Sequence, residues 1–341
     1  MHLVETSFGM MGGTFQRSEA KVDSNRAGRP AWLLALCLLQ IASWVFPSPS
    51  AAGATDAEWV RLDQARRVLL KTDSGRGLLE SASLRFQVSL TEKEMPRGES
   101  ALITPALVSR TDSVLNRGID PVSGRESRSF QTRVSLKASQ PLEDLVLDFA
   151  HELTHAIRNQ PVDPYDPSMN VEKYVVNAIT GPGGEVDAVE QECRVGLELA
   201  SRFGLSMERC KRYQSKQSSV PGSVDRAQIL RDFGASGRYR RAIQERLGAE
   251  VLSRIGWITD REPEFFSSTG AAPYPAALIE EYDQLNEAAC ENSRKRVQLL
   301  SASAPERTPA NTSGAALDSA RAEARWQALQ EARRFLNLRC R

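Results

Sequence analysis

Along residues 83–93, SLRFQVSLTEK, the apolar Leu84, Phe86, Val88 and Leu90 alternate with Arg85, Gln87, Ser89 and Thr91. A period of two puts each set on its own face, so the stretch predicts a half-buried strand. Residues 129–138 repeat the pattern, with Phe130, Thr132, Val134 and Leu136 against Gln131, Arg133, Ser135 and Lys137. ALITPALVS (101–109) is a weaker strand, which Pro105 confines to an edge or a bulge. After Pro141 the period lengthens: Leu142, Leu145, Val146, Phe149, Leu153, Ala156 and Ile157 recur at helical spacing until Pro161 ends the run. Turn chemistry at Gly181-Pro182-Gly183-Gly184 leads into a second helix with Val186, Val189, Cys193, Gly196, Leu197 and Ala200 on one face. Helical periodicity returns over 237–257, 276–301 and 315–340, with a linker by composition at 302–314.

Strands followed by helices predict an α+β fold with a small, mostly antiparallel sheet and a helical C-terminal portion. The predicted organisation is an N-terminal extension and signal peptide over 1–54 and a core over 55–215. A helical region (216–301), the linker and a final helix over 315–341 follow. A chain of 341 residues suits one elaborated domain, or one domain with a helical appendage. With net charge +1, no phosphate-binding glycine loop and no basic patch interleaved with aromatics, no nucleic-acid partner is expected.

The N-terminal segment changes the picture of where the protein works. Arg26 and Arg29 precede an apolar run from Ala31 to Phe46, then Pro47, Pro49 and small residues ending Ala52-Gly53-Ala54. This is the layout of a signal peptide, cut after Ala52 or Ala54, and the run is short of the ~20 residues of a spanning helix. An exported protein without stable membrane insertion is expected; an uncleaved anchor is the alternative. Beyond Cys37, in the removed segment, Cys193, Cys210, Cys290 and Cys340 remain. An even number in an oxidising compartment predicts two disulfides, and position along the helices favours 193–210 and 290–340 over the other pairings. Four free buried thiols are the alternative.

The candidate chemistry lies in DFAHELTHAIRNQP (148–161), which holds two of the chain's three histidines. Positions i and i+4 share a helical face, so His151 and His155 can point at one object. Two neutral imidazoles supply half of a tetrahedral zinc site, and Glu152 sits beside the metal, where it can accept a proton from a coordinated water. His2 lies in the removed segment, so the third protein ligand is a carboxylate or a cysteine. Glu185 opens the second helix, with Ala188 three residues on; Asp187, Glu190 and Glu192 are its rivals.

HELTH followed about thirty residues later by EVDA resembles the zincin metallopeptidases whose third ligand is a glutamate. The resemblance covers residues 84–204 and is specific in its first motif, much less so in its second. It implies a zincin-like fold, Zn2+ on His151, His155 and Glu185, Glu152 as general base, and a polypeptide substrate. It also implies an edge strand that pairs with the extended substrate, a role expected here of 129–137. Tyr165, Tyr174, Tyr213 and Arg194 are the candidate donors to the developing oxyanion. The expected function is an exported zinc metallopeptidase. The rival is a non-catalytic zinc-containing binding module of the envelope, for which a carboxylate beside the metal has no use.

Overall fold

The computed structural model describes residues 55–85, 87–89, 100–119, 126–159, 162–205, 207–215, 223–267, 270–302 and 315–340. The predicted signal peptide and its cleavage point, the strand residues 90–93 and the linker beyond residue 302 lie outside them.

Two helices come first, α1 (Asp56–Leu69) and α2 (Asp73–Arg85), before the strands β1 (Gln87–Ser89), β2 (Ser100–Ala106), β3 (Arg110–Ile119) and β4 (Glu126–Lys137). Helices α3 (Leu142–Arg158), α4 (Val171–Thr180), α5 (Glu185–Phe203), α6 (Glu208–Lys211) and α7 (Arg226–Phe233) follow. The C-terminal portion is α8 (Arg240–Leu247), α9 (Ala249–Ile255), α10 (Tyr274–Ala302) and α11 (Ala315–Arg339). The fold is α+β, mostly helical.

The four strands are ordered β1-β2-β4-β3; β1–β2 and β2–β4 are parallel and β3–β4 antiparallel. The sheet is therefore mixed, which corrects the expectation of a mostly antiparallel one. A second correction concerns the edge. β4, expected at the edge, is paired on both sides, and β3 is the outer strand among the described residues. The polar start of β3 (Arg110, Thr111, Asp112, Ser113) carries no apolar alternation, so its pattern is silent about a strand. Pro105 lies opposite Leu136 of β4, beyond Leu102, the last residue of β2 paired to β1. The missing N–H thus falls where only one neighbour needs pairing.

The strand predicted over 83–93 is shorter than its alternation. Residues 83–85 belong to α2, whose Leu78 and Ala82 are buried, while Leu84 is 90% exposed. Packing of that helix face overrides the local period of two. Two other helices, α1 and α4, have weak sequence patterns and strong caps. Thr55 and Glu58 form a reciprocal capping box at α1, and the Asn170 side chain accepts from Lys173 N at α4. The helix expected over 237–257 is broken into α8 and α9 at Gly248, whose φ of +84° a helix cannot continue through.

Helices α1, α2 and α3 contact the sheet, and α5 packs on α3. Every residue of α3 from Leu145 to Ala156 is buried, so this helix is the axis of the core. Gly196 of α5 faces it: a Cβ there would lie 3.1 Å from Leu147 Cδ2. Truncating a fully buried side chain such as Leu153 to alanine costs about 2–5 kcal/mol by lost burial and cavity formation. Two disulfides, Cys193–Cys210 and Cys290–Cys340, join α5 to α6 and α10 to the end of α11, in the favoured pairing. Among the described residues no helix is long and apolar enough to cross a membrane.

Candidate metal centre

His151 and His155 sit one turn apart on α3, their Nε2 atoms 3.1 Å from each other. Glu185, the first residue of α5, brings Oε2 to 3.4 Å from His151 Nε2 and Oε1 to 3.7 Å from His155 Nε2. A tetrahedral ion with ligands at about 2.0–2.1 Å needs donor atoms roughly 3.3 Å apart, and the two imidazole nitrogens and the Glu185 carboxylate lie within a few tenths of an ångström of that spacing, each ring facing its own carboxylate oxygen. All three residues are buried and could hold a metal ion together.

The local chain explains the convergence. Gly183 has φ +70°, and a Cβ on it would lie 2.2 Å from Asn159 N, so the turn runs directly against the end of α3. That approach brings the Gly183 carbonyl to 2.7 Å from His155 Nδ1. A carbonyl only accepts, so Nδ1 carries the proton and Nε2 of the neutral ring presents its lone pair to the centre. On the other side Glu192 Oε2 lies 3.0 Å from His151 Nδ1 and orients that ring the same way. Two such nitrogens facing one another at 3.1 Å repel unless a cation or a proton lies between them. Among the described residues Glu185 Oε2 has no hydrogen-bond partner, an orphan that a cation would satisfy.

The charges agree. Asp148, Glu152, Glu185 and Glu192 are all buried here, and Arg209 is the cation beside them, pairing with Glu192 and Asp148. Burial pushes the Glu152 carboxyl up to about 8. For His151, burial opposes the cation, but the facing carboxylates of Glu185 and Glu192 overcome it and hold the imidazole well above its ordinary value. His155 lies below its ordinary value, chiefly through burial. Burial would raise Glu185, yet His155 and His151 keep it low.

Glu152, next to His151 on α3, is not one of the three donors. Thr111 of β3 donates to its Oε2 at 2.8 Å and to its backbone carbonyl at 2.9 Å. A cavity opens beside His155 and Glu185, lined further by Thr111, Ser113, Tyr174 and Tyr274. Tyr274, at the start of α10, donates to Glu185 Oε1 at 2.6 Å.

No family model, curated protein or solved structure matches this chain. The site is therefore read from its own geometry.

Of the rivals to Glu185, Glu190 pairs with Arg194 and Arg226 away from the centre. Asp187 accepts from Gly183 N at 3.0 Å and pairs with Arg226, so it braces the turn. Glu192 serves His151 from behind. Among the expected oxyanion donors, Arg194 is exposed and bound to Glu190, Tyr213 bonds Asp232, and Tyr165 packs on Phe335; none of these lines the cavity. Tyr174 does line it. Thr111 and Tyr274 were absent from the sequence reading. Neither has a local signal, since their partners lie 41 and 89 residues away along the chain.

Proposed function

We propose that the chain is an exported zinc metallopeptidase in which His151, His155 and Glu185 hold the metal and Glu152 is the general base. One observation carries the reading: two imidazoles and one carboxylate converge on a common point while a second buried carboxylate, Glu152, is held apart from them by Thr111. A zinc ion held by these residues would acidify a water and polarise a peptide carbonyl. Thr111 fixes Glu152 Oε2, which leaves Oε1 to take the proton of the attacking water and release it to the departing amine. A carboxyl pushed up to about 8 by burial, and drawn down by a neighbouring cation, exchanges protons near neutral pH. Tyr274 holds Glu185 in place by its hydroxyl. The strand β3 carries Thr111 and Ser113 past the cavity, and its side away from β4, unpaired among the described residues, suits an extended polypeptide added as a further strand. Export is supported by the two disulfides and by the apolar N-terminal run.

The burial of all four side chains favours a second reading, a binding module that keeps zinc for structure alone. Metal analysis of the purified mature chain, joined to cleavage of an unfolded protein substrate by the parent and by Glu152→Gln, separates the two. A peptidase holds one zinc and loses cleavage in the variant; zinc without cleavage in either protein leaves the binding module. Absence of zinc in the parent refutes both.

A further inference from the structure

Behind His151 the structure carries a charged chain that the proposed chemistry does not use. Glu192 presents Oε2 to His151 Nδ1 at 3.0 Å and Oε1 to Arg209 Nε at 2.6 Å. The same guanidinium reaches Asp148 Oδ1 at 2.8 Å through Nη2. Asp148 Oδ2 in turn accepts from Ser109 Oγ at 2.6 Å and from Gln140 Nε2 at 2.8 Å. Glu192 and Asp148 are both buried, so each carboxylate depends on these partners and not on water. The ion pair crosses the gap between α5 and α6, and the Cys193–Cys210 disulfide crosses it one residue along on each side. With Cα atoms 5.0 Å apart, the disulfide fixes where Arg209 stands relative to Glu192.

We propose that Arg209, pinned by the Cys193–Cys210 bridge, is a positioning residue that holds Glu192 against His151 and thereby sets the metal affinity of the centre. The inference rests on the metal reading above. Arg209 touches no candidate ligand; it acts through the plane of the Glu192 carboxylate. The guanidinium donates from Nη2 to Asp148 and sets its Nε edge against Glu192 as an ion pair, two separated contacts that a lysine ammonium cannot make from a single point. Without it, His151 alone among the described residues of the centre pairs with Glu192, and the carboxylate can rotate away, releasing the imidazole from its orientation. Loss of a partner behind a metal histidine weakens binding by about 10–100-fold.

A double-mutant cycle on zinc affinity tests this, using the full mature chain and competition with a chromophoric chelator. Arg209→Met should lower zinc affinity at least tenfold, and Arg209→Lys should restore part of that loss. In a Glu192→Gln background, Arg209→Met should change affinity by less than about twofold, because the route from Arg209 to the metal is already cut. A merely structural arginine would give the same fold-change in both backgrounds, and that result overturns the proposal, as does unchanged affinity in Arg209→Met. If Arg209→Met does not fold, the cycle is run with Arg209→Lys, whose smaller loss must likewise vanish in the Glu192→Gln background; a loss that persists there overturns the proposal. A parent protein that binds no zinc refutes the metal centre itself, whereas zinc-binding parent and indifferent variants refute the positioning role alone.

Discussion

His151 and His155 are the same residue type on the same helix, one turn apart, yet the protein treats their two sides in opposite ways. Behind His151 stands a carboxylate backed by an arginine; behind His155 stands a neutral carbonyl in a glycine turn. Against burial, Glu185 and then Glu192 raise the affinity of the His151 imidazole for a proton, whereas at His155 burial lowers it. A pair of identical ligands is thus split into one ring that readily carries positive charge and one that resists it. The difference lies in what α5 and the glycine turn before it bring to each, since α3 presents both rings alike. A cation at the centre removes the asymmetry, because both rings must then be neutral at Nε2.

The comparison is broken most completely by removing either ring. His151→Ala and His155→Ala should each abolish stoichiometric zinc, and Glu185→Ala should weaken binding strongly, while Glu190→Ala leaves it nearly intact. Metal analysis after dialysis reads all four; zinc lost in Glu190→Ala and kept in Glu185→Ala would reverse the ligand assignment. Next in size is Glu152→Gln, which leaves both sides in place and removes only the proton acceptor. Peptide hydrolysis should fall by about 10²–10⁴-fold with zinc retained; cleavage at the parental rate would put the chemistry elsewhere.

The two sides can also be attacked separately. Gly183→Ala should cost fold stability, since its Cβ meets the Asn159 backbone at a positive φ, and it should displace the acceptor of His155. Its melting temperature should drop, whereas Glu192→Gln, which keeps the shape of an acceptor, should melt close to the parent. Equal melting in all three proteins would mean that the turn yields without effect on its neighbours.

Proton linkage sharpens the comparison further. In the metal-free protein His151 is raised above 6.5 and Glu152 from 4.5 to about 8, so each proton stabilises the fold at low pH and is lost as pH rises. Metal-free protein should therefore become less stable from about pH 4.5 through pH 8, and zinc should reverse the trend. Thermal melts across that range with and without zinc measure it; a metal-free protein that gains stability on the way up contradicts the sign. The smallest effect expected is for Tyr274→Phe, which removes one hydrogen bond to Glu185. A loss of about 1–3 kcal/mol in zinc binding is the ordinary scale for a bond to a charged group, and calorimetric titration resolves it.

The elements whose sequence pattern agrees with their burial were legible. Helix α3 begins after Pro141 and its apolar spacing matches its buried length; α10 and α11 fall within two residues of their periodicity. Where one face must be polar, the pattern failed. The outer strand β3 was missed because Thr111 serves Glu152 and not the core. The alternation over 83–93 holds at β1 (Gln87–Ser89) and misleads only at its start, where Leu84 falls on the exposed end of α2. Both errors have one cause: hydrophobic period reports which residues are buried in an average element, and a site-facing strand or a frayed helix end is not average.

The sequence by itself determined the pair of histidines on one helical face, the acid beside them and the glycine turn before Glu185, because helical spacing and backbone permissiveness are local properties. It also determined the even set of cysteines and their favoured partners. Only the tertiary structure decided which acid faces the two rings, which one stands behind His151, and that Thr111 and Tyr274 complete the surroundings. Glu185, Asp187, Glu190 and Glu192 lie within eight residues and read alike as an acidic helix start. Their roles diverge because α5 crosses α3 at one angle, and that angle is set by packing along both helices, as at Gly196 against Leu147.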